Sequence, residues 1–231
     1  MKQIVSLSIL MVAPGTALQA DWKIVTRTGD TSIVEYFKGA LMRADSPPAY
    51  TSVSDFDHHR TVNWRNDLRQ YMVVEWPPEH QSDTASGPVI TIAQNTTDTG
   101  ERRQFFGRTA RHLVTYTKRS DSPDTLTDGW YVDVPELPRM KRASGNAVMV
   151  ITKGVGNQKA AVPRIEVKQT GPEPVGLPVR VKTTVVLPGA SHQTIETLSE
   201  VTELLEVTLA DTLFQPPEGY QRVERFPSIA F

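Results

Sequence analysis

The feature that most constrains this chain is its division into short runs of β-branched and aromatic residues by turn-forming pairs. Residues 22–28 and 31–38 are two such runs, and the Gly29-Asp30 pair between them is typical of a tight β-hairpin. Further runs of this kind follow at 41–43, 51–56, 60–64, 70–76, 89–92, 108–118, 130–134, 147–152, 161–168 and 179–187. The 17 prolines lie mostly between runs, where they do not interrupt a sheet. The pattern predicts a mainly β fold.

The segment 194–207 carries two conflicting patterns. Its apolar residues Ile195, Leu198 and Val201 recur at the spacing of an amphipathic helix, with glutamates between them. Its many threonines and valines are β-branched, and such residues favour strands. We predict a strand here, with a helix as the alternative.

The chain is predicted to form one domain over residues 21–231. Its 231 residues suit a single large β unit, which commonly runs to roughly 200–250 residues. Polar stretches at 79–88 and 119–127 are candidate boundaries, and 96–100 is predicted to be a turn. Both sides of each boundary are rich in predicted strands, and neither side looks self-sufficient.

Residues 1–20 have the features of a secretory signal peptide. Lys2 precedes an apolar run at 4–13, helix-breaking Pro14-Gly15 follows, and small residues lead to Ala20. Cleavage is expected after Ala20 or after Ala17, and a buried N-terminal strand or helix is the alternative. The run is about half the length that a transmembrane helix needs, and no later segment reaches that length. Since no cysteine is present for lipid attachment, we predict a periplasmic or secreted protein without a transmembrane segment.

Charge and cysteine content exclude several classes of function. The 25 basic and 26 acidic residues give a net charge of −1, so overall charge offers no argument for nucleic acid or an anionic membrane as a partner. The absence of cysteine excludes disulfides, thiol catalysis, Cys-ligated zinc and iron–sulfur clusters.

The densest group of potential metal ligands is Asp55, Asp57, His58 and His59. Adjacent histidines on a strand point to opposite faces, which prevents joint ligation unless they lie in a turn. We therefore interpret the group as a polar turn and predict no metal site.

No catalytic signature is present. The chain lacks a Gly-x-Ser-x-Gly elbow and a His-Glu-x-x-His motif, and Gly154-Val155-Gly156 lacks the third glycine of a dinucleotide-binding loop. His112 is expected on one face of a strand without a catalytic role. We predict a non-enzymatic protein without a cofactor.

Four blocks carry a family resemblance: residues 55–64 with 70–72, residues 98–101 with 106–112, residues 128–133 and residues 209–220. Together they resemble exported bacterial proteins of the outer-membrane lipoprotein-sorting (lipoprotein-carrier-like) superfamily, in the manner of DUF4412-type domains. The resemblance implies an open antiparallel half-barrel with one or two short helices. It also implies a concave apolar face, on which carriers of this superfamily hold acyl chains.

The tryptophans are expected mainly in the core, and a ligand cavity, where present, would be lined by aromatic and valine side chains. The candidate lining residues are Trp22, Trp64, Val73, Trp76, Val89, Trp130 and Val185. The sequence thus predicts a binding protein for a lipid or another apolar ligand. The alternative is an envelope protein–protein interaction or structural module with no small ligand.

Overall fold

The computed structural model describes residues 20–76, 89–135, 137, 164–187 and 193–227. The predicted signal peptide, the polar stretch 79–88, the run 147–152 and the segment 154–156 lie outside the described residues, apart from Ala20.

The described residues form thirteen strands and one short 3-10 helix. The first six strands are β1 (Asp21–Thr28), β2 (Thr31–Lys38), β3 (Leu41–Ser46), β4 (Tyr50–Asp55), β5 (Arg60–Arg65) and β6 (Gln70–Glu75). The others are β7 (Val89–Phe105), β8 (Arg108–Arg119), β9 (Asp124–Val132), β10 (Arg164–Thr170), β11 (Leu177–Val186), β12 (Thr194–Val207) and β13 (Gln221–Arg222). The helix is Asp211–Phe214.

All thirteen strands belong to one sheet, in the order β10-β7-β8-β9-β11-β12-β1-β2-β3-β4-β5-β6-β13. Pairing is antiparallel except at the two ends of this order, where β10 joins β7 and β13 joins β6 in parallel. The sheet is open and unclosed. This confirms the predicted mainly β fold, an open half-barrel dominated by antiparallel pairing with very little helix. No described helix has the length and apolar character to cross a membrane.

The ambiguous segment 194–207 is a strand, as predicted. β12 lies between β11 and β1 and pairs with both, which joins the two halves of the sheet. The spacing of its apolar residues is misleading because they do not share one buried face: Val201 is buried, whereas Leu198 is 42% exposed. Pairing between distant segments therefore decides the conformation here.

Two turn predictions are wrong in detail. Residues 96–100 lie inside β7, where the pairing register with β8 shifts between Asp98 and Arg102. Gly100 has φ +82°, so it permits a bulge within a continuing strand. The polar stretch 119–127 is shorter than predicted because β9 begins at Asp124.

The buried apolar side chains form two clusters. The larger joins the start of β1 to the neighbouring ends of β8, β9 and β11, and its members are Trp22, Ile24, Phe37, Ala110, Val132, Val134, Leu137, Leu177, Val179 and Val201. The smaller consists of Val53, Trp64 and Phe214. Phe214 belongs to the 3-10 helix, so a C-terminal segment, residues 209–220, covers the face of β4 and β5. We call this segment the C-terminal strap.

Polar contacts hold the C-terminal strap on the sheet. The guanidinium of Arg43 donates to the carbonyl oxygen of Leu213 at 2.7 Å and lies 5.4 Å from the centroid of the Trp64 ring. The hydroxyl of Tyr220 donates to Asn66 Oδ1 at 2.9 Å. Protein side chains therefore occupy this part of the sheet face.

Candidate functional site

A row of four side chains crosses β8, β9, β11 and β12 on one face of the sheet. His112 lies opposite Trp130, Trp130 opposite Arg180, and Arg180 opposite Glu200. Directly opposite residues in antiparallel pairs share a face and contact each other. The register thus brings together an imidazole, an indole and an ion pair from sequence positions far apart.

A second row lies two residues further along the same strands. It contains Asp128, Lys182 and Leu198, again directly opposite one another. Because side chains alternate between faces with a period of two, this row shares its face with the first. Cationic, anionic and apolar groups are therefore interleaved on this surface.

The two rows border a half-open cleft with a volume of ≈ 510 Å³, which we call the β11 cleft. Its lining residues are Asp128, Trp130, Arg180, Lys182, Glu196, Thr197 and Leu198. The volume falls within the range of roughly 300–1,000 Å³ that is usual for small-molecule sites.

Two exposed ion pairs hold the cations of the cleft. Arg180 Nε lies 3.1 Å from Glu200 Oε1, and Lys182 Nζ lies 2.7 Å from Glu196 Oε1. Ion pairs as exposed as these contribute little to stability, typically about 0–1 kcal/mol. Opening these two ion pairs would therefore cost the protein little stability.

His112 fixes the position of Trp130. The two rings are stacked, with centroids 4.6 Å apart and an interplanar angle of 12°. His112 Nε2 lies 2.8 Å from Asp128 Oδ1, and His112 Nδ1 lies 3.0 Å from Thr99 Oγ1. Contacts at both ring nitrogens hold the imidazole, and the imidazole in turn holds the indole at the edge of the cleft.

The Thr99–His112–Asp128 chain has the groups of a hydrolytic triad, but its contacts are those of a structural element. Thr99 Oγ1 donates to the carbonyl oxygen of His112 at 3.3 Å and accepts from the backbone N–H of Glu101 at 3.2 Å. These bonds tie the hydroxyl to the β7 bulge. The arrangement thus fastens the bulge to β8 and β9.

Of the seven predicted lining residues, Trp130 lines the β11 cleft. Trp22 and Trp64 are buried in the larger and the smaller cluster, respectively. Trp130 packs against the larger cluster and so lies nearer to Trp22 than its position in the sequence suggests. The structure therefore places these three tryptophans in two separate regions.

The other four candidates do not line the β11 cleft. Trp76 follows β6, and its indole N–H donates to Thr61 Oγ1 at 2.7 Å. Val73 lies in β6, and Val89 is half exposed at the start of β7. Val185 lies on β11, an odd number of residues from Arg180 and Lys182, and therefore on the opposite face.

Sequence reasoning missed Arg180, Lys182 and Leu198. The alternation of cations with Val179 and Val181 was a usable signal, since it indicates a strand with one polar face. What surrounds that face depends on the register with β9 and β12, which no local pattern specifies.

The group Asp55, Asp57, His58 and His59 occupies the end of β4 and the following turn. The Asp55 carboxylate lies 2.7 Å from His58 Nδ1 and accepts hydrogen bonds from His58 N and Arg60 Nη2 at 3.2 and 3.3 Å. Asp55 thus caps the turn. Within the described ranges, no three His, Asp or Glu side chains are arranged to hold a metal ion.

Asp55 is expected to make native stability sensitive to acid. Burial alone would raise its pKa, but the hydrogen bonds from His58 and the charge of Arg60 outweigh burial and lower the pKa below its usual range. Since the folded pKa lies below the unfolded value of about 3.9, the stabilisation is present above that pH and is lost as the pH falls through the folded pKa. Asp55→Asn should therefore cost about 1–3 kcal/mol at pH 7 in urea denaturation, and this cost should shrink as the pH is lowered below about 4.

Asp30, which is exposed in the turn between β1 and β2, provides the control for this experiment. Asparagine suits such a turn as well as aspartate does, so Asp30→Asn should change the free energy of unfolding by less than about 0.5 kcal/mol. An Asp55→Asn cost that is independent of pH would contradict the assignment.

No protein-family model matches the chain, and no curated protein sequence matches it. The geometry of the β11 cleft is therefore the basis for assigning a function.

Proposed function

We propose that the protein is a non-enzymatic exported binding protein that holds a lipid or another amphiphilic apolar ligand in the β11 cleft. The observation that carries this proposal is the presence of apolar and cationic groups side by side in one cleft of ≈ 510 Å³. Trp130 and Leu198 supply apolar surface, and Arg180 and Lys182 supply positive charge. A ligand with an apolar body and an anionic head matches both.

The apolar surface continues beyond the cleft on the same face. Tyr116 lies directly opposite Leu126, and these side chains are 43% and 39% exposed. Leu198 is exposed to a similar degree on β12. Removing apolar surface from water is favourable by about 25 cal/mol per Å², so covering this band with an alkyl chain would stabilise a complex.

The cationic side of the cleft favours an anionic head group. Arg180 and Lys182 lie two residues apart on β11 and face the same side of the sheet. A guanidinium binds carboxylates and phosphates through paired hydrogen bonds, and an ammonium binds them as a point charge. The weak surface ion pairs of these cations can open to admit such a head group.

Export is supported by the signal-peptide features of residues 1–20. The resemblance to lipoprotein-carrier-like proteins supports an acyl-containing ligand. In the periplasm or outside the cell, such a protein would shield the apolar part of the ligand from water.

Leu198→Glu tests the proposal, with oleate as the probe and intrinsic tryptophan fluorescence as the readout. A carboxylate at this position puts a charge where the alkyl chain would lie and repels the anionic head. We expect the dissociation constant to rise at least tenfold, which corresponds to about 1.4 kcal/mol.

Ile195→Glu is the matched control. Ile195 lies on the same strand and is also exposed, but the odd spacing from Leu198 puts it on the opposite face. Its oleate affinity should stay within about twofold of the native value. Equal weakening by both substitutions, or no oleate binding by the native protein, would refute a ligand site in the β11 cleft and favour an envelope protein–protein interaction on this face.

A further inference from the structure

The hairpin of β7 and β8 ends in a segment rich in arginine. Residues 102–111 contain Arg102, Arg103, Arg108 and Arg111 and no acidic residue, in a chain whose net charge is −1. We call this segment the hairpin tip. Acidic and basic residues nearly balance over the whole chain, but these arginines are clustered near the end of the β7–β8 hairpin.

An exposed aromatic residue occupies the turn of the hairpin tip. Phe106 forms the turn with Gly107 and is 41% exposed. Its φ of +51° lies in the left-handed region, which is unusual for an aromatic residue. Positive φ at both turn residues, +51° at Phe106 and +73° at Gly107, is the conformation that a two-residue hairpin turn requires.

The adjacent Phe105 gives the turn a rigid base. Its ring packs against the larger core cluster and lies 5.9 Å from the Trp130 ring. The two consecutive phenylalanines therefore have different environments: Phe105 fastens the tip to the core, and Phe106 remains accessible to solvent.

Aromatic rings position two of the arginines on either side of the turn. The guanidinium of Arg103 lies 5.8 Å from the Phe105 ring centroid, and that of Arg108 lies 5.6 Å from the Trp22 ring centroid. Arg102, one residue before Arg103, forms an ion pair with Asp98 at 2.9 Å. Arg103 and Arg108 thus flank Phe106 from the two strands of the hairpin.

The tip also extends past the strands next to it. Among the described residues, β10 pairs with β7 only as far as Asn95, and β9 pairs with β8 only as far as Ala110. The part of the hairpin from Arg103 to Arg108 lies beyond both limits.

We propose that the hairpin tip docks on an anionic lipid surface, with Phe106 inserted at the head-group boundary and Arg103 beside lipid phosphates. Interfacial segments combine these two features, a large apolar side chain that enters the boundary and cations that bind anionic lipids. A site for soluble polyanions would need the arginines alone. Docking would bring the β11 cleft close to a source of amphiphiles, but it does not depend on the cleft binding one.

The test is co-sedimentation of the full chain with vesicles of phosphatidylcholine or of phosphatidylglycerol. The native protein should bind the phosphatidylglycerol vesicles, more weakly at raised salt, and should not bind phosphatidylcholine. Phe106→Asn should weaken binding about tenfold, because it removes the inserted ring. Asparagine tolerates positive φ, so the turn should be kept. Arg103→Gln should weaken binding about fivefold.

Lys118→Gln is the control. It removes a cation from β8 roughly 30 Å along the strand from the tip, and binding should stay within about twofold of native. The proposal is overturned if the native protein does not bind phosphatidylglycerol vesicles, or if the tip variants bind like the native protein. If Phe106→Asn binds both phosphatidylglycerol vesicles and soluble heparin as tightly as the native protein does, the hairpin tip is a general polyanion site instead. A separate measurement of oleate affinity would show whether the β11 cleft binds its ligand even when the hairpin tip does not dock on vesicles.

Discussion

Replacing Phe214 by alanine is expected to lower the free energy of unfolding by about 3–5 kcal/mol. Phe214 is 6% exposed and packs with Val53 and Trp64, which are 2% and 1% exposed. The substitution removes a ring from a small cluster and leaves a cavity, so both the transfer free energy and the packing contacts are lost. Urea denaturation followed by tryptophan fluorescence should report the change directly, because Trp64 lines the vacated space.

The matched control is Phe106→Ala, which deletes the same atoms at an exposed position. Its effect on the free energy of unfolding should be below about 0.5 kcal/mol. The comparison separates the chemistry of the substitution from its burial. A Phe214→Ala cost as small as that of the control would show that the C-terminal strap is not packed on β4 and β5 in solution. The face of β4 and β5, which the C-terminal strap covers in the structure, would then be exposed to solvent.

The hairpins of the first half of the sheet were predictable because their determinants are local. The Gly29-Asp30 pair lies between two β-rich runs, and the structure has a two-residue turn there with Gly29 at φ +58°. The polar turn predicted at Asp57, His58 and His59 likewise lies between β4 and β5. The segment 194–207 was harder, because its helical spacing is also local and is overridden by pairing with β1 and β11.

The β7 bulge shows where local reasoning fails. A glycine with positive φ serves a turn or a bulge equally well, so Gly100 could not distinguish them. The difference lies in the partner strand, where His112 holds Thr99 and β8 continues the pairing on both sides of the bulge. The parallel pairs at the two ends of the sheet are equally non-local, and no sequence pattern indicated them.

The candidate site was predictable only at Trp130. Sequence reasoning selected tryptophans as cavity lining, but Trp22 and Trp64 are the right size and shape to fill a core and are buried there. The cleft cations lie together only through the register of β11 with its neighbours. The hairpin tip was not predicted for a different reason: its four arginines are interrupted by polar and apolar residues, so they form no continuous block of like charge in the sequence.

Replacing Gly171 by alanine is expected to destabilise the protein by about 3 kcal/mol or more. Gly171 directly follows β10 and has φ +82°. A Cβ at this position would lie 1.8 Å from the backbone carbonyl oxygen of Thr96. Backbone cannot rotate away as a side chain can, so either β10 or the buried Thr96 segment of β7 must move.

The expected consequence is loss of the parallel pairing between β10 and β7. Amide hydrogen exchange should accelerate over residues 89–95 and 164–170 and remain slow in β4 and β5, which lie in the other half of the sheet.

Gly39→Ala is the control, since Gly39 also has positive φ but a Cβ added there would have no atom within 4 Å. It should cost only the left-handed backbone penalty of about 1 kcal/mol. If both glycine variants lose the same stability, backbone conformation alone explains the effect, and the close approach of Gly171 to Thr96 does not exist in solution. A larger loss confined to Gly171→Ala would establish that β10 is held by tight backbone packing as well as by its ladder of hydrogen bonds.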